Sequence, residues 1–424
     1  MKILWIVNIV MPDMAKFLKL RESNLGGWLS GLANELKKNN DIELYICTVS
    51  NVIKTVISAQ LDGVTYYVIP NSSSHLSKNS HLEPFWENIN LEIQPDIVHI
   101  HGTEYAYGLA WIRACGSHNV CVSIQGLTSV YARYAKGALD NFQILKNLTF
   151  SDLKNRRSIF QLSTDYKKRG ETEIQYFESI NHVLGRTSWD RVHVWSINPK
   201  LCYHISNEIL RPVFYSHKKW NFDSCERYSI FLSQAKNPIK GLHFMLQAMK
   251  LIIRDFPEAK LYVANAQGVF AKSFNSRLKQ SGYYRLIENL IGELNLKNNI
   301  VLLPSLNASE MAERFTRSHV FVNASAIENS PNSLGEAQLL GVPCISSFVG
   351  GSPEFMNYGK AGAVYRFEEY EMLAYAVCKL FKNSFFQEEI DEGLSLANER
   401  HDPATIVSAL KNTYEKILLL DINE

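Results

Sequence analysis

Two series of alternating strand and helix patterns run through this sequence, and no other feature limits its fold as strongly. Short apolar runs typical of buried strands are each followed by a segment with helical periodicity. The predicted strands are Ile3–Ile9, Glu43–Val49, Ile97–Ile100, Val120–Ile124, Asn181–Leu184, Ser229–Leu232, Lys260–Ala264, Ile300–Leu303 and Val320–Asn323. Strands that alternate with helices form parallel sheets covered on both faces. The pattern therefore predicts an α/β protein with two doubly wound, Rossmann-like domains that face each other.

The boundary between the two series lies in an irregular stretch. Residues 211–226 are rich in Pro, Ser, His and Lys and follow neither period. We therefore predict an N-terminal domain over residues 1–210 and a C-terminal domain over residues 211–403, followed by a last amphipathic helix over residues 404–424. A chain of 424 residues is long enough to build two full hydrophobic cores.

Composition excludes several classes of protein. With 46% apolar and 20% charged residues the chain reads as a folded protein, and a net charge of +2 argues against a general binder of nucleic acid or acidic polymers. The seven cysteines are scattered and show no Cys-x-x-Cys spacing, which suits a reducing cytoplasmic compartment and no zinc site. The apolar opening is interrupted by Asn8 and favours a first strand over a signal peptide. No apolar run reaches the ~18 residues that a bilayer span needs.

An anion site is predicted in the stretch from Ser325 to Glu354. Ser330 is placed to cap a helix that has Pro331 at its first position and ends at Gly341 and Pro343, after about three turns. The first N–H groups of such a helix have no partner inside it, and the helix dipole adds positive charge there. The amides expected to bind an anion belong to Asn332, Ser333 and Leu334.

Carboxylates flank this anion site. Glu328 lies just before the helix, Glu336 lies on it, and Glu354 follows a flexible Gly350-Gly351 turn. Carboxylates accept hydrogen bonds from hydroxyl groups. The combination therefore indicates a ligand that carries both phosphate and hydroxyls.

Further candidate residues follow the strands of the first series. Gly26 and Gly27 precede a helix, where paired glycines allow a phosphate to approach closely or simply allow a tight turn. His101, Glu104 and Gln125 lie at the carboxyl ends of two strands, where ligands of open α/β sheets bind. The alternative is that these polar residues cap helices and satisfy loop backbone.

Two basic residues could each contact a phosphate or have an ordinary structural role. Arg186 follows a strand and could reach a phosphate or pair with an acid. Lys240 precedes Gly241 at a helix start, where a cation would meet phosphate oxygens, although an ordinary surface lysine is the alternative.

Residues 131–170 combine nine Lys/Arg and three Asp/Glu with regularly interleaved apolar side chains. Such a mixture suits an anionic membrane surface, and a solvated helical face is an equally good interpretation.

These motifs together resemble the signature of family 4 retaining glycosyltransferases of the GT-B fold (glycosyl transferases group 1). The resemblance rests on the Glu328-x7-Glu336 spacing, the Gly341-x-Pro343 ending, Gly350-Gly351-x-x-Glu354, Lys240-Gly241 and Gly26-Gly27 in the same order. It covers nearly the whole chain. The segments HIHGTE, SIQG, GRTSWD and ENSPNSLGEA further resemble a bacterial subgroup associated with surface polysaccharide assembly.

The resemblance implies a role for each matching residue. Glu328 would bond hydroxyls of the donor sugar and Glu336 those of the nucleotide ribose, with the helix start at Asn332, Ser333 and Leu334 holding the diphosphate together with Lys240 and the Gly27 amide. The resemblance also implies that the C-terminal helix returns to the N-terminal, acceptor-side domain. Family 4 enzymes generally need no metal or other cofactor, and no Asp-x-Asp occurs in this sequence.

Two departures from the family pattern affect the site. The family usually has Gly-Arg before its phosphate-binding lysine, whereas this chain has Ser233-Gln234-Ala235-Lys236, so Lys236 would take the role of the arginine or nothing would. Many members place a histidine where this chain has Gln125, and His99 and His101 are the residues that would compensate.

The resulting hypothesis is a metal-independent, retaining hexosyltransferase that uses a nucleotide-diphosphate sugar and a glycan or lipid-linked acceptor. Its expected catalytic residues are Glu328, Lys240, His101 and Gln125, and its donor-binding residues add Gly26, Gly27, Arg186, Lys236 and Glu336 to the helix start. Capsule, exopolysaccharide or O-antigen synthesis at the cytoplasmic face of the cell membrane is the expected setting, without nucleic acid as a partner. The alternatives are a nucleotide-sugar epimerase or glycan phosphorylase of the same architecture, and a non-catalytic GT-B partner subunit.

Overall fold

The computed structural model describes residues 1–20, 26–71, 79–271, 273–382 and 387–421. The chain divides into two compact units. Unit 1 comprises Met1–Val130, Lys167–Arg211 and Arg400–Glu424, and unit 2 comprises Tyr131–Tyr166 and Pro212–Glu399. The predicted domains differ from these units mainly at residues 131–166, which belong to unit 2 although the sequence places them inside the first series. Residues 422–424 of the predicted last helix lie outside the described residues.

Unit 1 is built on a sheet that has eight strands within the described residues, in the order β3-β4-β2-β1-β5-β6-β7-β8. The strands are β1 (Lys2–Val7), β2 (Glu43–Ser50), β3 (Ile57–Leu61), β4 (Val64–Pro70), β5 (Ile97–His101), β6 (Val120–Ser123), β7 (His182–Gly185) and β8 (Cys202–Ile205). All pairings are parallel except that β3 runs antiparallel to β4. The central strand β1 is almost entirely buried because helices cover both faces of a sheet of this kind.

Unit 2 contains a parallel sheet of six strands within the described part of the chain, in the order β11-β10-β9-β12-β13-β14. The strands are β9 (Glu226–Leu232), β10 (Lys260–Val263), β11 (Ile300–Leu302), β12 (Ser318–Asn323), β13 (Cys344–Ser347) and β14 (Ala363–Tyr365). The strand order reverses between β9 and β12, which is the topological switch point at which open α/β sheets bind their ligands.

Helices cover both sheets. In unit 1 they are α1 (Pro12–Phe17), α2 (Gly27–Leu36), α3 (Glu83–Ile93), α4 (Tyr107–Cys115), α9 (Ser188–Ile197) and α19 (Pro403–Asp421). In unit 2 they are α6 (Asn141–Lys146), α7 (Phe150–Asn155), α10 (Val213–Ser216), α11 (Leu242–Asp255), α12 (Phe274–Lys279), α13 (Gly282–Glu293), α14 (Ala308–Arg317), α15 (Asn332–Leu339), α16 (Ser352–Phe355) and α17 (Tyr370–Lys382). Three helices contain unit boundaries, namely α5 (Thr128–Tyr134), α8 (Ile159–Ser179) and α18 (Gln387–His401). Among the described residues no helix is both long enough and apolar enough to cross a membrane.

The last helix belongs to unit 1, as the resemblance implies. The hydroxyl of Tyr414 on α19 accepts a hydrogen bond from Trp5 Nε1 at 3.1 Å and lies 2.6 Å from His99 Nδ1. All three side chains are fully buried, so α19 is tied to the central strands β1 and β5 by a satisfied polar network.

The α/β architecture with two doubly wound sheets is confirmed, and every predicted strand is present with ends that differ by at most a few residues. The hairpin of β3 and β4 was not predicted, although the Asp62-Gly63 turn between its strands is a characteristic hairpin signal. One helix boundary also differs. Helix α15 begins at Asn332 with Pro331 as its N-cap residue, and it has eight residues, just over two turns, where about three were predicted.

Candidate functional site

The predicted site residues fall into two groups, one in each unit, and each group lies at the carboxyl ends of its own sheet. In unit 2 the first contributor is the loop 233–241 after β9. Gly241 ends this loop in a left-handed conformation with φ of +70°, and a Cβ there would come within 1.7 Å of the Ala324 carbonyl oxygen. Only glycine permits such a close approach. The Ala326 amide also donates to the Ile239 carbonyl at 2.6 Å, so this loop is fixed against the segment that follows β12.

That approach brings Lys240 and Glu328 together. Lys240 Nζ lies 2.6 Å from Glu328 Oε1, and the Ser325 hydroxyl donates to the same oxygen at 2.6 Å. In the fold, 25% of the side-chain surface of Lys240 and 13% of that of Glu328 are exposed to solvent. The pair is therefore oriented by packing and hydrogen bonds and still reaches the surface, so the ammonium group is accessible to a ligand. We call Lys240, Glu328 and Ser325 the Lys240 cluster.

The turn after β13 fixes the backbone of Glu328. Gly350 has φ of +54°, and a Cβ at this position would lie 1.8 Å from the Glu328 carbonyl oxygen. The same carbonyl accepts a hydrogen bond from the Gly351 amide at 3.0 Å. The predicted Gly350-Gly351 turn thus serves to hold the residue before α15 in place.

The start of α15 lies next in the chain, with Asn332 and Ser333 half-buried at its first turn. The Leu334 amide donates to the Pro331 carbonyl at 2.9 Å, so the expectation that this N–H lacks a partner within the helix turn was wrong. The bond joins residues three positions apart, the 3₁₀-type spacing by which a first helical turn can satisfy an N–H that has no i−4 partner. Glu336 is buried, with 5% of its surface exposed.

Lys236 lies in the same loop as Lys240 but is exposed. It lines a separate cavity of unit 2, described below.

The segment between β12 and α15 is also held by Tyr131, a residue from a distant part of the chain that sequence reasoning missed. The Asn329 amide donates to the Tyr131 hydroxyl at 3.0 Å, although 198 positions separate the two residues. Tyr131 opens the segment 131–166 that joins unit 2. No local pattern could have revealed this contact, and Ser325 was likewise noted only as the start of the stretch.

In unit 1 the glycine turn has the conformation that the sequence requires. Gly26 has φ of +76° and is the N-cap residue of α2, and a Cβ there would lie 2.1 Å from Ile9 Cδ1. Gly27 is the first residue of the helix.

His101 ends β5 in an aromatic environment. Its ring stacks on His99 with centroids 3.8 Å apart, and its centroid lies 4.5 Å from that of Trp5 in a T-shaped contact and 5.6 Å from that of Trp28 in a tilted one. It is 2% exposed, and neither ring nitrogen has a hydrogen-bond partner among the described residues. Burial, with the neighbouring His99 and Arg186, lowers the pKa of His101 well below its ordinary value, so the ring is neutral at pH 7.

His99 differs from His101 because both of its ring nitrogens are engaged. Nδ1 lies 2.6 Å from the Tyr414 hydroxyl and Nε2 lies 2.6 Å from the Ser123 hydroxyl. Burial lowers the pKa of His99 to about 3. This residue is a satisfied core histidine, and it does not compensate for the histidine that Gln125 replaces.

Arg186 and Gln125 lie together in a buried polar cluster. Arg186 Nη2 contacts Glu208 Oε1 at 2.6 Å, and both side chains are 4% exposed. With the side-chain amide of Gln125 turned so that its nitrogen faces Glu208, it donates to Glu208 Oε1 at 3.3 Å and accepts from Arg186 Nη2 at 3.2 Å. Of the two interpretations of Arg186, pairing with an acid is the one that the structure shows. We call Arg186, Glu208 and Gln125 the Arg186 cluster.

Glu104 adds a carboxyl group with an unusual pKa beside these residues. Asn8 Nδ2 donates to Glu104 Oε2 at 3.3 Å, and a Cβ on Gly102 would lie close to Glu104, Asn8 and Gln125 alike. Burial, assisted by the negative charge of Glu173, raises the pKa of Glu104 to about 7. This carboxyl therefore exchanges its proton near neutral pH.

Comparison with known proteins agrees with this geometry. Residues 215–394 match the protein family described as Glycosyl transferases group 1. Sucrose-phosphate synthase from Thermosynechococcus elongatus is 14% identical and superposes with a TM-score of 0.66 over 99% of each chain. Anabaena HepE in complex with UDP and glucose is 13% identical, with a TM-score of 0.65 over 98% of this chain and 100% of that one. A trehalose-6-phosphate structure from E. coli bound with UDP-2-fluoro glucose has a TM-score of 0.64 at 11% identity, over 100% of this chain and 99% of that one.

The chain thus has the GT-B fold. A curated relative, spore coat protein SA of Bacillus subtilis (strain 168), is 25% identical over 154 residues. That match spans 36% of this chain and 39% of the relative.

Proposed function

We propose that the protein is a retaining family 4 glycosyltransferase that transfers a sugar from a nucleotide-diphosphate donor to a glycan or lipid-linked acceptor. The observation that carries the proposal is the Lys240 cluster, a cation held at the switch point of a sheet within a unit that matches group 1 glycosyltransferases. HepE and the E. coli structure are bound with UDP and a UDP-sugar, which supports a nucleotide sugar as the donor here.

The chemistry assigned to the cluster is stabilisation of the leaving group. Cleavage of the anomeric bond transfers negative charge to the departing nucleoside diphosphate, so a fixed ammonium group binds the transition state more strongly than the substrate. Lys240 is already oriented by Glu328 at 2.6 Å, which reduces the reorganisation that the reaction requires. The amides at the start of α15, including that of Ser333, would add donors to the same phosphates.

The carboxylates are assigned to hydroxyl groups. Glu328 has a second oxygen beyond the one that binds Lys240 and Ser325, and it would accept from a hydroxyl of the donor sugar. Glu336 would hold the ribose. Lys236 would replace the arginine of the family pattern on the diphosphate, and neutral His101 and Gln125 would be the acceptor-side groups. The Gly26-Gly27 turn keeps its proposed role toward phosphate. Arg186 is a weaker candidate for donor binding because Glu208 already neutralises it.

The proposal includes metal-independent transfer with retention and without a cofactor. Lys240 and the helix start would supply the positive field that a divalent cation provides elsewhere. The pathway we propose is bacterial capsule, exopolysaccharide or O-antigen synthesis, in the cytoplasm at the inner face of the membrane.

A membrane contact is supported by the surface of α6 and α7. Phe142 and Phe150 are 74% and 64% exposed, and Leu145 and Leu153 are 58% and 64% exposed. Exposed Lys146, Lys154 and Arg156 lie in the same two helices or directly after them. Large apolar side chains beside cations have the chemistry of a segment that inserts at the surface of an anionic bilayer.

The test of the reaction is nucleotide release by the purified full-length chain, incubated with a panel of nucleotide sugars with and without membrane lipid extract. We expect release from one donor class, increased by the extract that contains the acceptor, and retention of configuration in the product by NMR. Interconversion of free nucleotide sugars without release would instead support the epimerase. Nucleotide binding without turnover of any donor would support the non-catalytic partner subunit.

The membrane contact has its own test, because catalysis does not depend on the outcome. Co-sedimentation with vesicles should require anionic lipid and should fall several-fold in a Phe142→Ser/Phe150→Ser double variant. A Leu419→Ser variant, which changes an equally exposed residue on α19 in unit 1, is the matched control. Sedimentation that is indifferent to lipid charge and to the phenylalanines would reject the contact.

A further inference from the structure

Unit 2 contains a cavity of about 570 Å³ to which the proposed function assigns no ligand. Its walls come from three parts of the chain: α7 to the start of α8, the loop 236–238, and residues 267–270 with 276–284. A volume of this size lies within the range of small-molecule sites. The Lys240 cluster does not line it, and Lys236 is the predicted donor residue that does.

Three cations line this cavity. Lys236, Lys279 and Arg157 are all exposed, and each comes from a different wall. Arg157 Nη2 donates to the Lys279 carbonyl at 2.7 Å and to the Ser151 hydroxyl, which fixes the guanidinium at the rim. A guanidinium group has five N–H donors, so an anion can still bind to its other edge.

A buried carboxylate also lines the cavity. Asp152 is 2% exposed, and its Oδ2 accepts from the Gly282 amide at 2.8 Å and the Thr149 amide at 3.2 Å. Its Oδ1 has no hydrogen-bond partner in the described part of the chain. Because a buried carboxylate oxygen without a partner is costly, this atom indicates a ligand group that donates a hydrogen bond.

The rest of the lining contains apolar and aromatic side chains beside polar ones. Tyr284 is held by a hydrogen bond from its hydroxyl to the Asn265 carbonyl at 2.9 Å, and Phe270 and Leu162 are half-buried beside it in the lining. Rigid rings of this kind provide a flat apolar face, which matches the C–H face of a sugar ring.

We propose that this cavity binds a saccharide that carries a phosphate or a carboxylate. Lys279 and Arg157 would bind the anion, Asp152 Oδ1 would accept from a sugar hydroxyl, and the aromatic wall would cover the ring. If the proposed function holds, the ligand is an acidic saccharide of the acceptor, and that assignment alone rests on the proposed function. The binding site itself does not depend on it.

The experiment is titration calorimetry on the full-length chain with saturating UDP present, so that the Lys240 cluster is occupied. The probes are glucose 6-phosphate and glucuronate, compared with glucose and inorganic phosphate. We expect at least one charged sugar to bind about tenfold or more tighter than either glucose or phosphate, because only it uses both the cations and the hydroxyl acceptor. The same titration without UDP is the comparison. A charged sugar that binds without UDP but not with it would occupy the nucleotide site, which would overturn the proposal.

Variants of the lining separate this cavity from other anion sites. Lys279→Gln should weaken binding of the charged sugar about three- to tenfold, as expected for one exposed cation. The control is Lys297→Gln. Lys297 is exposed and precedes β11, so it lies at the amino ends of the strands, away from the cavity loops, and its replacement should leave binding of the charged sugar unchanged. Equal affinities in the two variants would overturn the proposal.

Asp152→Asn tests the hydroxyl acceptor. It should reduce affinity for the charged sugar more than for inorganic phosphate, because phosphate does not need the acceptor oxygen. Equal reductions for the two ligands would contradict the role of Asp152. If this variant fails to fold, the Lys279 comparison decides. Nucleotide release without charged-sugar binding would reject the cavity proposal and leave the proposed function intact. Charged-sugar binding without turnover of any donor would reject the proposed function and leave the cavity proposal intact.

Discussion

The two polar clusters of this protein occupy equivalent places, at the carboxyl ends of parallel strands, yet they are built in opposite ways. In the Arg186 cluster of unit 1 the cation is 4% exposed and its Nη2 lies 2.6 Å from Glu208 Oε1. In the Lys240 cluster of unit 2 the cation is 25% exposed and touches a carboxylate that is itself partly exposed. A buried ion pair resists exchange with a ligand, whereas a surface pair exchanges easily. Position on the fold therefore does not distinguish the two clusters, whereas burial of the cation does.

The titratable groups around the clusters show the same contrast. Around the Arg186 cluster, burial keeps His101 neutral and raises the pKa of Glu104 to about 7. These groups suit exchange of protons and hydrogen bonds with a neutral ligand. Unit 2 instead presents Lys240 and Lys236 at the surface, which suits a ligand with negative charge.

The largest effect on stability is expected for Arg186→Met. It leaves Glu208 as a buried carboxylate without its cation, which typically costs about 3–5 kcal/mol. Urea unfolding should show this loss, and an Arg186→Met/Glu208→Met double variant should recover much of it. The affinity for a nucleoside diphosphate should change little in that double variant. A large loss of nucleotide affinity with stability preserved would reverse our assignment of Arg186.

Glu104→Gln should produce a smaller effect that depends on pH. The pKa of Glu104 is raised from 4.5 in the unfolded chain to about 7 in the fold, so the folded protein holds a proton that the unfolded chain releases. The contribution of this group to stability is therefore complete below pH 4.5 and is lost as the pH rises to about 7. The variant does not undergo this loss, so its free energy of unfolding should exceed that of wild type by about 1–3 kcal/mol as the pH rises from 4.5 to 8. Parallel stability curves for the two proteins would contradict the raised pKa.

Ser325→Ala should have the smallest effect of the three. Its hydroxyl helps to orient Glu328, so we expect a fall of about three- to tenfold in kcat/KM for the donor, with a change in unfolding free energy of about 1 kcal/mol or less. A Ser325→Thr variant keeps the hydroxyl and should restore much of the activity. If neither variant differs from wild type, the hydroxyl has no positioning role.

Sequence reasoning recovered those parts of the molecule that rest on local signals. The strands followed from apolar runs, and the glycines at 26, 241 and 350 have the positive φ values that their turns need. The end of α15 at Gly341 was predicted for the same reason, and Gly341 has φ of +70°.

The contacts that sequence reasoning missed join residues far apart in the chain. Arg186 meets Glu208, Asn329 meets Tyr131, and the segment 131–166 joins unit 2 rather than the unit that precedes it. Lys240 and Glu328 could each be selected from the sequence, but their ion pair depends on the close approach at Gly241. Tertiary packing decides such pairings, and no periodicity or cap signal reports them.

The central claim is that Lys240 stabilises the departing nucleoside diphosphate. The most direct measurement is the single-turnover rate of donor cleavage by Lys240→Met, beside its Kd for UDP. The rate should fall by about 10²–10³-fold, the Kd should rise far less, and the unfolding free energy should change by under about 1 kcal/mol. Lys382→Met, which removes another exposed lysine of unit 2 paired at 2.9 Å with Asp255, should leave all three unchanged. A Lys240→Met rate within twofold of wild type, or equal losses in rate and affinity, would contradict the claim.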